Sequence, residues 1–267
     1  MERLAIIGAG NLGVAIAQGI IKAGLMKPEQ LTLTRRSLDK LDSIRTAGFS
    51  VTTNNSEAVQ QASLIMICVQ PKQTLAVVNE ISPAFQEGKH VLISTVTGIS
   101  TEEIASQLGG KQIPIIRAMP NTAIAIAASM TCICSHQASP QHVSAVIRLF
   151  DGLGKTLIVE ERLMKASTVL AASGIAFFMR FLRASTQGGI QLGFDAEDAQ
   201  AIAVQTAKGA ALLLQEHGLH PEMEIDRVTT PEGCTIAGLN EMEHQGLSSA
   251  IIKGLVASFE KINNIRK

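Results

Sequence analysis

Leu4-Ala5-Ile6-Ile7-Gly8-Ala9-Gly10-Asn11-Leu12-Gly13 decides the fold of this 267-residue chain. Leu4–Ile7 is a short apolar run that reads as a strand, and Leu12–Ala23 carries the spacing of a helix. Between them lies a G-x-G-x-x-G. A side chain at Gly8 or Gly10 would obstruct the tight turn or the approach of a pyrophosphate, and Gly13 lets the helix pack closely on the strand. The helix N-terminus then offers unpaired N–H groups and a partial positive charge to phosphates. The stretch from Leu4 to Ile21 carries no charge and has about the length of a membrane span. Gly8, Gly10, Gly13, Gly19, Asn11 and Gln18 interrupt it, however, and acidic Glu2 precedes it, so a strand, turn and helix explain it better than a span or a signal peptide.

Outward from this turn, strand-length apolar runs recur at Leu31–Thr34, Ser63–Val69, His90–Thr95, Ile113–Arg117, Met130–Ser135 and Thr156–Val159. Helix-compatible segments such as Leu38–Ala47 separate them, which predicts a mostly parallel, doubly wound sheet covered on both faces. Beyond residue 161 the pattern becomes helical, over Arg162–Gln187, Ala196–Glu216, Ile236–His244 and Ser248–Asn263. Asp195 is placed to cap the second of these and Gly218 to end it. Ala166–Met179 is apolar nearly all round, which predicts a buried helix. The organisation expected is an α/β Rossmann domain over 1–161 and an all-α domain over 162–267.

Apolar residues make up 46% of the chain and charged residues 17%. So low a charge density predicts that another subunit covers some apolar surface. Lys+Arg and Asp+Glu balance at 23 each, which argues against a nucleic-acid or anionic-membrane partner. Cys68, Cys132, Cys134 and Cys234 form no C-x-x-C pair. Neither a zinc site nor a disulfide framework is expected, and a reducing cytoplasm suits the chain.

Leu31–Thr34 runs into Arg35-Arg36-Ser37, with no acid until Asp39. Dinucleotide sites for NAD usually present Asp or Glu here, whereas guanidiniums and a hydroxyl suit a 2′-phosphate, so NADP (NADPH) is the cofactor expected. The lesser alternative is that one or both arginines are solvated surface charges. The chain has no Tyr and no Trp, which excludes a Tyr-Lys proton relay. None of the six histidines, at 90, 136, 142, 217, 220 and 244, sits in an acid/base constellation; each reads as a surface or helix-end residue. Alcohol oxidation needs a base, whereas a protonated C=N group accepts hydride with less help.

Thr229-Thr230-Pro231-Glu232-Gly233-Cys234-Thr235 precedes the helix Ile236–His244. A hydroxyl-rich, glycine-containing turn opening a helix can hold a carboxylate, or can be an ordinary N-cap. The residues alone leave the two open. Val228–Glu243, reading VTTPEGCTIAGLNEME, resembles the C-terminal signature of pyrroline-5-carboxylate reductases. Arg117-Ala118-Met119-Pro120-Asn121-Thr122 resembles that family's R-x-M-P-N-T segment. GAGNLG, Val69-Gln70-Pro71 and Asn55 before Glu57-Ala58-Val59 follow the family's order, and the likeness runs from about residue 4 to 260.

The resemblance implies NADPH-dependent reduction of 1-pyrroline-5-carboxylate to L-proline, and a homodimer of interlocking helices that can assemble into a decamer of five dimers. It places Thr230, Gly233, Cys234 and Thr235 around the substrate carboxylate. Thr235 would also bond the ring nitrogen and relay its proton. Thr97, Pro120 and Asn121 would lie beside the nicotinamide. Gly8, Gly10, Asn11, Leu12 and Gly13 would hold the pyrophosphate, Asn55 with Arg35, Arg36 and Ser37 the adenosine side, and Val69, Gln70 and Pro71 would line the cofactor; no metal is implied.

The chain departs from the family pattern at Glu232 (usually Gly), Gln70 (usually Lys) and Ala123 (usually Pro). The family's G-S-G-P-A turn reads Ala172-Ser173-Gly174-Ile175-Ala176, and loss of both helix breakers predicts that the helix runs on there. Three other functions fit less of the sequence: reduction of a related imine, a β-hydroxyacid-type dehydrogenase using Lys165, and a non-enzymatic NADP sensor.

Overall fold

The computed structural model describes residues 3–37 and 42–264. The chain alternates strands and helices from β1 (Leu4–Ile7) and α1 (Asn11–Lys22) through β2 (Leu31–Thr34), α2 (Asp42–Thr46), β3 (Ser50–Thr52), α3 (Asn55–Gln61), β4 (Leu64–Ile67) and α4 (Pro71–Ile81). It continues through β5 (Val91–Ser94), α5 (Thr101–Ala105), β6 (Ile115–Met119), β7 (Ser129–His136), α6 (Pro140–Asp151) and β8 (Gly154–Ile158). Part of the helix expected at Leu38–Ala47 lies outside the described residues; its described part is α2.

The strands form one sheet in the order β3-β2-β1-β4-β5-β6-β7-β8. All neighbours are parallel except β6 and β7. The order in which successive strands are added reverses between β1 and β4, the switch point where α/β sheets bind ligands at the carboxyl ends of their strands. β3 was not foreseen: three half-polar residues carry too little periodicity to read as a strand.

Alternation along β1 explains the two-faced core. Leu4 and Ile6 pack with Ile16 and Ile20 of α1 on one face, while Ala5 and Ile7 pack with Ala58 and Val78 on the other. Each fully buried Leu, Ile or Val among them contributes about 1.5–3 kcal/mol. His90, expected at the surface or a helix end, is instead buried against the edge of Phe85, with ring centroids 5.6 Å apart. Its Nδ1 accepts from the Gln86 amide at 2.9 Å, and burial pulls its pKa below the usual histidine value.

The rest of the chain is helical: α7 (Met164–Ser167), a π-helical turn at Thr168–Ser173, α8 (Gly174–Gln191), α9 (Ala196–His217), α10 (Pro221–Arg227), α11 (Cys234–His244) and α12 (Leu247–Ile262). The chain divides into two compact units, one ending at Ser173 but regaining the segment from Ser258, the other spanning Gly174–Ala257. In the second unit α8 and α9 form a hairpin closed by Gly189, where an added Cβ would lie 2.9 Å from the Cβ of Ala199. Gly218 ends α9 with φ +63°, but Asp195, though in the N-cap position, makes no capping bond with its side chain.

The expectation that Ala166–Met179 is buried does not hold within one chain. Leu170 is 68% exposed and Phe178 71% exposed. Phe181, Leu192, Val204, Ile252 and Val256 are exposed too. A helix that is apolar all round needs cover on every side, and a single copy supplies it on one only.

Candidate active site

The glycine loop is built as its residue types demand. Gly8 has φ +101°, and a Cβ there would lie 2.8 Å from Val69 Cγ1 and 2.9 Å from the Cys68 carbonyl. At Gly13 a Cβ would lie 2.6 Å from the Gly8 carbonyl oxygen, so helix and loop touch backbone to backbone. Gly10 differs: a Cβ would meet nothing within 4 Å. It occupies the N-cap of α1, which has no side-chain cap, and the first intrahelical bond is the Val14 amide on the Gly10 carbonyl, so the amides of Asn11, Leu12 and Gly13 precede the ladder. A pyrophosphate fits that cradle.

The loop is tied to the end of β2. The Ala9 amide donates to the Thr34 carbonyl at 2.7 Å, and the Gly8 amide reaches Thr34 Oγ1 at 3.3 Å. Arg35 is half-buried and donates from Nη1 to the Ala9 carbonyl at 3.0 Å, so it braces the loop with one of its five N–H donors. Arg36 and Ser37 are exposed beside it. Asn55 opens α3; its Oδ1 accepts from Thr34 Oγ1 at 2.6 Å and its Nδ2 donates to Glu80 Oε1 at 3.1 Å. Val69 packs against Gly8, Gln70 is the N-cap of α4 and Pro71 its first residue. Behind the loop, burial pushes the Cys68 thiol up to about 12, which leaves it a neutral packing group.

Thr97 contacts Met119, with Oγ1 3.9 Å from Sδ. Pro120 is buried. Asn121 is anchored three ways: its amide donates to Ser129 Oγ at 3.0 Å, Oδ1 accepts from the Ala123 amide at 3.0 Å, and Nδ2 donates to the Ala171 carbonyl at 3.3 Å. Two of these bonds rest on departures from the family pattern. A proline at 123 has no N–H to donate. Ala171 lies in the π-helical turn, and the chain is helical from Glu161 to Gln191 through Ala172–Ala176, as loss of the helix breakers predicts. The π register was not legible, because it depends on where the helix is gripped by its neighbours.

Sequence reasoning also missed Glu161. The Arg117 guanidinium, buried at 4% side-chain exposure, donates from Nη1 to Glu161 Oε1 at 2.7 Å and from Nη2 to the Val96 carbonyl at 3.4 Å. Glu161 also accepts from Cys134 Sγ at 2.8 Å and from the Thr101 amide at 3.3 Å. Burial alone would raise its carboxyl pKa, but the bonds from Cys134 and Arg117 outweigh it and hold the group below its usual range. The network joins the segment after β5, the start of α5, β6, β7 and the residues ahead of α7.

In the second unit, Gly233 is the N-cap of α11 and no side chain caps it. The first intrahelical bond is made by the Ala237 amide to the Gly233 carbonyl, so the amides of Cys234, Thr235 and Ile236 precede the ladder. Neither Thr230 nor Thr235 acts as the cap. Gly233 is closely packed: a Cβ would lie 2.5 Å from Thr230 Oγ1 and 3.0 Å from the Thr230 carbonyl oxygen. Pro231 and Glu232 form the turn closed by the Gly233 amide on the Thr230 carbonyl at 3.0 Å. Glu232 adopts φ +57°, the left-handed conformation that favours the family's glycine, at a cost of about 1 kcal/mol. Among the described residues no group of three His, Cys, Asp or Glu is placed to hold a metal ion.

Residues 161–265 match the family model for the pyrroline-5-carboxylate reductase dimerisation domain, and residues 3–98 match that for NADP oxidoreductase coenzyme F420-dependent domains. A pyrroline-5-carboxylate reductase 2 from Dictyostelium discoideum is 43% identical, over 97% of this chain and 92% of the relative. The chain belongs to the pyrroline-5-carboxylate reductase family. A second Dictyostelium reductase is 47% identical over 97% of the chain, which spans about half (49%) of that relative's length. The solved structure of a Coxiella burnetii pyrroline-5-carboxylate reductase superposes with a TM-score of 0.89 at 28% identity, covering 100% of this chain and 99% of that one. The NADP-bound Plasmodium falciparum enzyme gives 0.91 at 22% identity, over 100% and 98%. A Mycobacterium tuberculosis 3-hydroxyisobutyrate dehydrogenase shares the fold alone, at 13% identity and a TM-score of 0.53, covering 88% of this chain and 72% of that one. Lys165, which dehydrogenase chemistry of that type would need, donates its ammonium to Asn263 Oδ1 at 3.0 Å.

Proposed function

We propose that this protein reduces 1-pyrroline-5-carboxylate to L-proline with NADPH. The observation that carries the reading is the pair of uncapped helix N-termini, each opened by glycine: Gly10 at α1 for a dinucleotide and Gly233 at α11 for a carboxylate. The family's named members and the NADP-bound relative support it.

In this reading Gly8, Gly10, Asn11, Leu12 and Gly13 receive the pyrophosphate, and Arg35, Arg36, Ser37 and Asn55 receive the adenosine side. Val69–Pro71 line the cofactor, and Thr97, Pro120 and Asn121 flank the nicotinamide. NADPH, when bound, supplies the hydride that reduces the C=N carbon. Thr230, Gly233, Cys234 and Thr235 orient the substrate carboxylate. Thr235 Oγ1 bonds the ring nitrogen and passes it a proton, which suits a chain with no tyrosine and no placed histidine acid.

Exposed apolar side chains on α8, α9 and α12 support a homodimer, and five such dimers are the larger assembly proposed. The helix Glu161–Gln191 is long and apolar enough to cross a membrane, with mean hydropathy 1.3 over its most apolar window. Its place at the start of the matched dimerisation domain favours a partner subunit as its cover. Four free thiols support a cytoplasmic setting.

Thr235→Ala is expected to lower kcat/KM by roughly tenfold to a hundredfold, about 1.4–2.7 kcal/mol of transition-state stabilisation. Steady-state rates of NADPH oxidation with pyrroline carboxylate measure it, and an unchanged rate removes Thr235 from the mechanism.

A further inference from the structure

The end of β2 carries arginines and no acid, yet a carboxylate reaches it from another element. A line of hydrogen bonds runs from the glycine loop to α4. The Gly8 amide is shared between the Thr34 carbonyl at 3.2 Å and Thr34 Oγ1 at 3.3 Å, the Thr34 hydroxyl donates to Asn55 Oδ1 at 2.6 Å, and Asn55 Nδ2 donates to Glu80 Oε1 at 3.1 Å. Every donor in the line points toward Glu80, so each bond polarises the next. Thr34 is buried and Asn55 half-buried, whereas Glu80 is exposed, which sets a full negative charge at the solvent end of the line. Glu57, the acid in the first turn of α3, is turned elsewhere, accepting from Thr52 Oγ1 and Gln61 Nε2.

We infer that Glu80 is a cofactor-selectivity residue. It rests on the reading that Asn55 and Arg35–Ser37 face the adenosine ribose. Two hydrogen bonds separate Glu80 from the end of β2, where a ribose 2′ substituent sits in this fold. A dianionic 2′-phosphate there is repelled by Glu80 and attracted by Arg35 and Arg36, whereas a neutral 2′-hydroxyl is nearly indifferent to all three. The carboxylate thus offsets part of the arginines' preference and keeps NADH usable. At such a separation near the surface, repulsion of a dianion corresponds to roughly threefold to tenfold in affinity.

Glu80→Gln keeps an acceptor for Asn55 and removes only the charge. The chain has no Trp or Tyr, so the fluorescence of the reduced nicotinamide reports binding without a protein background. With the full-length protein titrated by NADPH and by NADH, Glu80→Gln is expected to tighten NADPH roughly threefold to tenfold. NADH should change by less than about twofold, and the NADPH gain should shrink as salt is raised, because the effect is Coulombic. Glu57→Gln, the control, should leave the ratio of the two constants unchanged. A ratio unmoved by Glu80→Gln, or moved equally by Glu57→Gln, overturns the inference while the cofactor reading stands. Wild-type protein that binds neither dinucleotide overturns both.

Discussion

Gly10→Val is expected to leave the protein folded and to weaken NADPH at least about a hundredfold, or some 2.7 kcal/mol. Gly10 differs from the other two glycines of the loop in what surrounds it. Gly8 and Gly13 are required by the protein itself, since a Cβ at either would run into backbone. Gly10 has φ −85° and ψ −166°, an ordinary extended conformation that valine adopts without strain. Among the described residues, and apart from its immediate chain neighbours, no atom lies within 4 Å of its added Cβ. The only occupant such a side chain would displace is the ligand in front of α1. Thermal unfolding should therefore move by a few degrees at most while cofactor titration collapses; wild-type affinity in this variant would show that the dinucleotide does not use the loop.

Glu161→Ala is expected to destabilise the fold by about 3–5 kcal/mol, the cost of leaving a buried charge without its partner. Arg117 is 4% exposed and, among the described residues, would keep only the Val96 carbonyl as a side-chain partner. The reverse truncation, Arg117→Ala, should cost less, about 2–3 kcal/mol. Glu161 is 37% exposed, can be rehydrated, and retains Cys134 and Thr101 as donors. The same network makes the fold acid-sensitive. The native Glu161 carboxyl titrates below its unfolded value, so its contribution is complete above the unfolded carboxylate pKa and is lost as pH falls through the native one. Urea titrations of both variants at neutral and acidic pH measure this; equal losses, or a wild-type loss on acidification that persists in Glu161→Ala, would contradict it.

What the sequence discloses here is what short-range chemistry encodes. The glycine loop, the strand and helix around it and the signature turn each lie within about a dozen consecutive residues, and all are where the pattern put them. What it hides is set by distance and by partners. Arg117 and Glu161 are 44 positions apart, and Asn55 and Glu80 are 25 apart; nothing local marks either pair. Ala166–Met179 reads as core because it is apolar on all sides, yet one copy of the chain cannot cover it. At Ala172–Ala176 the missing breakers foretell a continuous helix, while nothing local foretells the π turn at Thr168–Ser173, where the Asn121 side-chain amide donates to the Ala171 carbonyl from 50 positions away.

The most direct test of the account is the absorbance of NADPH at about 340 nm, followed while purified protein meets 1-pyrroline-5-carboxylate and a panel of other cyclic imines. The account predicts stoichiometric loss of NADPH with formation of L-proline, and kcat/KM for pyrroline carboxylate well above that for imines lacking a carboxylate, whose absence leaves the N-terminus of α11 unpaired. Tight NADPH binding without oxidation by any of these imines, or equal turnover of imines with and without a carboxylate, would contradict it.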